Sequence, residues 1–169
     1  MNKTKLAYQA IEHYLQTGAI LTIKPKGPTG ACFVTLYLDK RLRGCIGSPE
    51  AFEPLDKNIV RNAVEAATAD WRFPPVTLAE LPLLKIEVSV LTPLKPYQPK
   101  SARALLTYLQ KNKPGLVISL SGHRALFLPQ VWQELPDAAT FLSELCLKAG
   151  LPADSWQDKS MCFFIFKLL

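Results

Sequence analysis

Histidine is scarce in this sequence, and closely paired cysteines are absent. There are two histidines, and the four cysteines, Cys32, Cys45, Cys146 and Cys162, form no Cys-x-x-Cys pair. Structural zinc sites are usually built from closely spaced cysteine and histidine ligands, so we predict no metal site and no resident cofactor. Since a chain of 169 residues can form a core without disulfide bonds, we expect the cysteines to be free thiols.

Long hydrophobic runs are missing as well. No apolar run approaches the roughly 20 residues that a membrane span needs, and the lysines near the start precede no apolar segment of a signal peptide. Apolar residues nonetheless make up 49% of the chain and charged residues 20%, which excludes a disordered protein and allows a substantial core. We therefore expect a soluble, cytoplasmic protein without membrane association, folded as a single domain over residues 1–169.

Acidic residues are absent between Val88 and Glu134. Six basic residues in this interval equal the whole net charge of +6, which makes this a basic protein. A basic segment of this kind attracts phosphate groups or an acidic partner, RNA included. A solvated surface is the commoner explanation, and only Tyr97 and Tyr108 accompany the basic residues as stacking groups. RNA binding is therefore kept as an alternative to a solvated surface.

Hydrophobic periodicity alternates between helices and short strands. Helices are predicted over 3–16, 54–70, 101–112 and 137–149. Strands are predicted over 31–38, 41–46, 84–91, 116–120, 124–128 and 162–168. Because the strands pair as hairpins with helices inserted between them, the pattern favours an α+β fold with a largely antiparallel sheet flanked by helices. Three prolines in a linker near 92–100 predict a boundary between two lobes there.

The segment 41–49, RLRGCIGSP, carries the clearest chemical signal. A strand places alternate side chains on opposite faces. One face is then predicted to carry Arg41, Arg43, Cys45 and Gly47. The other face is predicted to carry Leu42, Gly44 and Ile46, which suit a core.

Two interpretations of this segment stay open. In the first, the arginines lower the pKa of the Cys45 thiol, Cys45 attacks an electrophile, and Arg43 neutralises the developing negative charge. Cys45 and Arg43 are then the catalytic residues, and the groups that bind an anionic substrate are Arg41, Gly44, Gly47 and Arg72. In the second, Cys45 is a small buried hydrophobe, and the two glycines only allow a bulge or close packing.

Six segments in order resemble one family. They are 42–47 (LRGCIG), 70–75 (DWRFPP), 80–82 (ELP), 87–91 (EVSVL), 127–132 (FLPQVW) and 148–151 (KAGL). Together they make the chain similar to the AMMECR family, whose bacterial and archaeal relatives are called AmmeMemoRadiSam system protein A. The resemblance spans nearly the whole chain. One departure is Trp71, which stands where relatives often carry a small residue or proline and leaves the placement of Arg72 less certain.

The resemblance implies a fold of two unequal lobes with a cleft between them, near the glycine-cysteine segment. It also implies an association with Memo-type and radical SAM proteins. We therefore predict an enzyme or enzyme subunit that uses a cleft around Cys45 and Arg43 on an anionic small molecule. The alternative is a non-catalytic binding or adaptor module that contacts a protein partner or RNA.

Overall fold

The structure of the protein, a computed structural model, describes residues 2–169 and separates into two compact units. The first runs to Pro93 and includes Leu169, and the second spans Leu94–Leu168. Over the described range, each unit has one antiparallel sheet and two α-helices. The predicted α+β class is therefore confirmed, with two sheets in place of one. No helix within residues 2–169 has the length and hydrophobicity needed to cross a membrane.

The sheet of the first unit contains strands β1 (Ala31–Leu38), β2 (Arg41–Gly47) and β3 (Lys85–Leu91). Their order is β2-β1-β3, and both pairings are antiparallel. The turn between β1 and β2 has positive φ at both central residues, 49° at Asp39 and 65° at Lys40. Two positive φ angles are those of a type I′ turn, whose twist matches an antiparallel hairpin. Strands β1 and β2 therefore form one of the predicted hairpins.

Two helices, α1 (Lys3–Thr17) and α2 (Leu55–Thr68), pack on one face of this sheet and against each other. The side chains of β1 that face them are fully buried, namely Cys32, Val34 and Leu36. Small buried residues of α2, such as Ala63 and Ala66, allow the helix to approach the sheet closely. The approach is closest at Gly44, where an added Cβ would overlap the backbone carbonyl oxygen of Ala66.

A β-bulge at Arg43 changes the faces predicted for β2. Gly44 pairs with Leu36, whereas Leu42 pairs with Tyr37, so Arg43 has no partner on β1. Side chains of paired residues point to the same face of a sheet, and one extra residue shifts the alternation by one position. The prediction that Arg41 shares a face with Cys45, and that Leu42 faces the core, is therefore wrong. Leu42 lies on the Cys45 face and is 39% exposed.

The second unit is built around a sheet of order β4-β7-β5-β6. Its strands are β4 (Lys95–Tyr97), β5 (Gly115–Leu120), β6 (His123–Phe127) and β7 (Cys162–Phe166). Helices α3 (Ala102–Asn112) and α4 (Ala138–Lys148) begin after Ser101 and Asp137, whose side chains accept backbone N–H groups. Strand β4 lies within the proline-containing segment near 92–100, and the two units divide just before it, between Pro93 and Leu94.

We expect Gly44→Ala to destabilise the first unit by about 3 kcal/mol, because the new methyl group would force β2 away from α2. Gly18→Ala is the matched control. Gly18 has a φ of 72° but nothing within 4 Å of an added Cβ. Its substitution should cost about 1 kcal/mol from backbone strain alone. Urea unfolding of the two variants measures the difference, and equal losses would contradict the packing explanation.

Candidate functional site

Cys45 lies on β2, and its half-buried side chain is on the sheet face opposite to α1 and α2. Its partner on β1 is Thr35, whose Oγ1 is 3.2 Å from the Cys45 Sγ. The backbone N–H and C=O of Cys45 contact Asp70 and Arg72, as described below, and therefore point away from β1. The two residues thus form a non-hydrogen-bonded pair, in which side chains approach most closely. This register explains why the thiol and the hydroxyl meet.

The outer edge of β2 is bound at Cys45 by an ion pair. Asp70 Oδ2 accepts the Cys45 backbone N–H at 2.9 Å, and Arg72 Nη2 donates to the Cys45 carbonyl oxygen at a longer 3.5 Å. The guanidinium also binds the Asp70 carboxylate in a two-pronged manner, with Nη2–Oδ2 at 2.7 Å and Nε–Oδ1 at 2.9 Å. At this position, the Asp70 carboxylate and the Arg72 guanidinium thus form the hydrogen bonds that a neighbouring strand would otherwise form.

The charges of this pair are strongly coupled. The Asp70 side chain is only 3% exposed, and the Arg72 hydrogen bond, opposed by burial, lowers the pKa of Asp70 to about 2. In return, the hydrogen bond to Asp70 raises the pKa of Arg72, and the negative charge of Asp70 adds to this effect. The Arg72 side chain remains 41% exposed. Its guanidinium is therefore held next to the Cys45 backbone and is accessible to solvent, while the Asp70 carboxylate balances its charge.

Arg43 is in a different environment, because protein groups occupy its guanidinium. It donates to both carboxylate oxygens of Glu80, at 2.9 and 3.2 Å, and to the carbonyl oxygens of Pro74 and Pro75, at 2.8 and 3.3 Å. The Arg43 side chain is 12% exposed. Its hydrogen bond lowers the pKa of Glu80 to about 2, with help from the Thr77 backbone. Arg43 therefore holds the segment 74–80 against β2, and its catalytic role stays a prediction.

A row of three polar side chains crosses the sheet at Cys45. Thr35 pairs with Cys45 on one side and with Glu87 of β3 on the other, so a thiol, a hydroxyl and a carboxylate lie on one face. Glu87 forms an ion pair with Lys85 at 2.7 Å. The sequence analysis selected neither Thr35 nor Glu87. The alternating pattern of the two strands could have placed them on this face, but only with the register of the sheet.

The glycines predicted to bind substrate have packing roles in the structure. A Cβ at Gly47 would overlap the Cys32 carbonyl oxygen and Phe33, much as one at Gly44 would overlap α2. Close backbone approach is therefore sufficient to explain glycine at both positions. Arg41 is exposed at the start of β2, on the other face from Cys45. Binding of a substrate by these three residues stays a prediction.

The four cysteines are all free thiols, and they differ in how deeply they are buried. Cys32 lies in the core beside Asn58 and Asn62, and burial raises its pKa to about 11. Burial also raises the pKa of Cys146. Both of these thiols are inaccessible and stay protonated at neutral pH. Only Cys45, which is half-buried, and Cys162, which is exposed, remain as thiols that a ligand could reach.

Trp71 is a further residue that the sequence analysis did not select for the site. It directly precedes Arg72, and its side chain is 91% exposed, which is unusual for a tryptophan. Next along the chain, the ring of Phe73 lies 5.4 Å from the Arg72 guanidinium carbon. An exposed indole beside a fixed guanidinium is an arrangement that binds planar or anionic groups. The sequence shows that a tryptophan follows Asp70, but it does not show that this tryptophan is exposed.

Comparison with known proteins relates the whole chain to one group. The AMMECR1 family model matches residues 4–168. Protein MK0488 of Methanopyrus kandleri is 40% identical, over 96% of this chain and 83% of that protein. Protein MJ0810 of Methanocaldococcus jannaschii is 43% identical, over 80% of this chain and 69% of its own length. The crystal structure of the uncharacterised protein PH0010 of Pyrococcus horikoshii superposes with a TM-score of 0.87 at 35% identity, covering 98% and 87% of the two chains.

The lowered pKa of Asp70 predicts how acid weakens the first unit. Its carboxylate stabilises the fold fully above the ordinary pKa of 3.8, and the stabilisation is lost as the pH falls toward about 2. At pH 7 we expect Asp70→Asn to cost about 2 kcal/mol, the equivalent of the pKa shift. Between pH 4 and about 2, the difference from the native chain should shrink.

Urea unfolding at a series of pH values measures this difference. Arg72→Gln and the double variant complete a thermodynamic cycle, which isolates the coupling between the two side chains. The coupling should be full at pH 7 and much smaller at pH 2, where about half of the Asp70 carboxylates in the folded protein are protonated. A pH-independent cost of Asp70→Asn would contradict the assignment of a charged Asp70 to this position.

Proposed function

Since this chain belongs to the AMMECR1 family, we propose that it acts on an anionic substrate through the thiol of Cys45, as an enzyme or as a subunit of one. The observation that carries the proposal is the position of that thiol. It is half-buried, its Sγ forms a hydrogen bond with Thr35 Oγ1 at 3.2 Å, and the backbone carbonyl of the same residue accepts a hydrogen bond from Arg72 Nη2 at 3.5 Å. The thiol therefore combines a hydroxyl that can take its proton with a nearby guanidinium that can bind an anionic group.

The row that includes Cys45 supports the proton transfer that such a step needs. In the proposed step, the Cys45 sulfur adds to a carbonyl carbon of the substrate, the C=O π bond breaks, and its electron pair moves to the carbonyl oxygen. Thr35 Oγ1, which lies 3.2 Å from the sulfur, takes the thiol proton and delivers its own hydroxyl proton to that oxygen. Charge and atoms are balanced because the proton that leaves the sulfur is replaced on the carbonyl oxygen by the hydroxyl proton of Thr35.

The two arginines take different roles in this proposal. Arg72 is the group that contacts the anionic part of the substrate, because it is 41% exposed and anchored by a buried carboxylate. Its orientation is fixed before any ligand binds, which reduces the entropic cost of binding. Arg43, with its donors bound to Glu80 and to two carbonyl oxygens, is a positioning residue. Trp71 lies beside Arg72 in sequence and supplies an exposed aromatic surface.

Paired alkylating agents test this site without a known substrate. Iodoacetate is anionic and iodoacetamide is neutral, but both transfer a similar group to a thiol. We expect Cys45 to prefer iodoacetate several-fold more than the thiol of uncharged N-acetylcysteine amide does, because Arg72 attracts the anion. Site-resolved mass spectrometry of the native protein gives both rates within one sample.

Two arginine variants complete this experiment. Arg72→Gln should reduce the preference of Cys45 to that of N-acetylcysteine amide, whereas Arg41→Gln, on the other face of β2, should leave it unchanged. Circular dichroism confirms that each variant is folded, and Arg72→Lys provides a conservative substitution if Arg72→Gln is not. A preference that Arg72 does not control, or a Cys45 that stays unreactive in the folded protein, would overturn the proposal.

The resemblance also suggests partners for this site. We propose that the protein works together with Memo-type and radical SAM proteins, since the family is associated with both. The same alkylation readout applies to them. A purified Memo-type protein that slows the reaction of Cys45 but not that of Cys162 would support the association, and unchanged rates with both partners would count against it.

A second candidate function, RNA binding without catalysis, is supported by one surface of the second unit. Arg103 and Lys111 line a shallow groove of about 540 Å³ along α3, together with Tyr108. Both cations are exposed, and Tyr108 stacks on Tyr97 with ring centroids 4.3 Å apart. A basic groove with an aromatic ring is suited to a single-stranded nucleic acid.

Fluorescence anisotropy with a labelled oligouridylate tests this candidate. If it is correct, affinity should fall at least tenfold between 50 and 200 mM salt, because phosphate contacts release counterions. Arg103→Gln with Lys111→Gln should weaken binding in the same assay, and Lys5→Gln on α1 is the control. An absence of binding at 50 mM salt would eliminate the RNA candidate.

A further inference from the structure

The second unit contains a cavity that the site around Cys45 does not use. It has a volume of about 890 Å³ and lies between two segments of the unit, residues 96–105 and 156–164. The first segment includes the end of β4 and the start of α3, and the second includes the start of β7. Small-molecule sites in proteins commonly measure about 300–1,000 Å³, so this cavity is large enough for a ligand of nucleotide or drug size.

Aromatic and aliphatic side chains line much of this cavity. Leu105 and Met161 are buried in its wall, and Trp156 is half-buried there. The ring of Tyr97 is held in place by its stack on Tyr108, at an interplanar angle of 23°. Desolvation raises the pKa of the Tyr97 hydroxyl, so this group stays neutral. The wall therefore provides rigid, flat apolar surface of the kind that receives a planar ring.

The charged groups of the lining favour an anion. Lys100 and Lys159 are both exposed, and neither forms an ion pair with any residue in the described range. The acidic member of the lining is Asp158, and its Oδ1 accepts the backbone N–H of Ser160 at 2.7 Å. Two lysines against one carboxylate leave a net positive charge next to the aromatic wall.

We propose that this cavity is a binding site for a small molecule that combines a planar aromatic ring with a phosphate or carboxylate group. The ring packs against Tyr97 and Trp156, and the anionic group is bound by Lys100 and Lys159. Both walls come from the second unit, so the site is complete within residues 94–168. It is independent of the function proposed for Cys45, which lies in the first unit.

Cys162 provides a reporter for this site, because its exposed thiol is part of the lining. The probes are AMP and indole-3-acetate, which carry a phosphate and a carboxylate, with the uncharged adenosine and indole-3-acetamide as controls. At saturation we expect at least one anionic probe to slow iodoacetamide alkylation of Cys162 at least fivefold. The rate at Cys45 should not change, and the uncharged counterparts should protect much less. Which anionic probe protects distinguishes phosphate from carboxylate ligands.

Variants of the two lysines test how the anion is bound. Lys100→Gln with Lys159→Gln should weaken binding of the protecting probe at least tenfold in calorimetry, whereas Lys95→Gln on β4, outside the lining, should not. The proposal is overturned if neither anionic probe protects Cys162, if the uncharged compounds protect equally, or if the double variant binds normally. Protection of Cys45 instead would favour the site in the first unit and would also overturn this one.

Discussion

The candidate site around Cys45 depends on the ion pair between Asp70 and Arg72. An edge strand presents N–H and C=O groups that need partners, and at Cys45 these partners are a carboxylate and a guanidinium. Because Asp70 is almost fully buried, its negative charge is tolerable only with Arg72 and backbone N–H groups around it. The same interaction that closes the edge therefore fixes the Arg72 guanidinium next to the backbone of Cys45.

Arg72 and Arg43 differ in how fully protein groups occupy their guanidinium donors and in how far solvent reaches them. Arg43 is mostly buried, and Glu80 with two carbonyl oxygens satisfies its guanidinium. Such a group stabilises the segment that it binds, but it has little capacity left for a ligand. Arg72 is anchored on one side by Asp70 and open to solvent on the other. Anchoring and exposure together are what a preorganised anion-binding group requires.

Most of the fold could be predicted from the sequence, because helices and strands follow from local periodicity. The helix caps Ser101 and Asp137 and the turn at Asp39 are local features, and each lies where its residue type predicts. The faces of β2 could not be predicted in the same way. A single unpaired residue at Arg43 inverts the alternation, and only the pairing with β1 reveals it. The neighbours of Cys45 depend on that pairing, so Thr35 was missed.

Several of the basic residues that give the chain its positive charge line two surfaces of the second unit. An interval without acidic residues is usually a solvated surface, and the sequence alone favoured that explanation. In the structure, however, Lys100 of this interval lines the aromatic cavity of the second unit. Arg103 and Lys111, which follow Lys100 in the chain, line the groove along α3. Grouped cations with no intervening carboxylate raise the local concentration of anions. The absence of acidic residues in this interval therefore leaves both surfaces with a net positive charge.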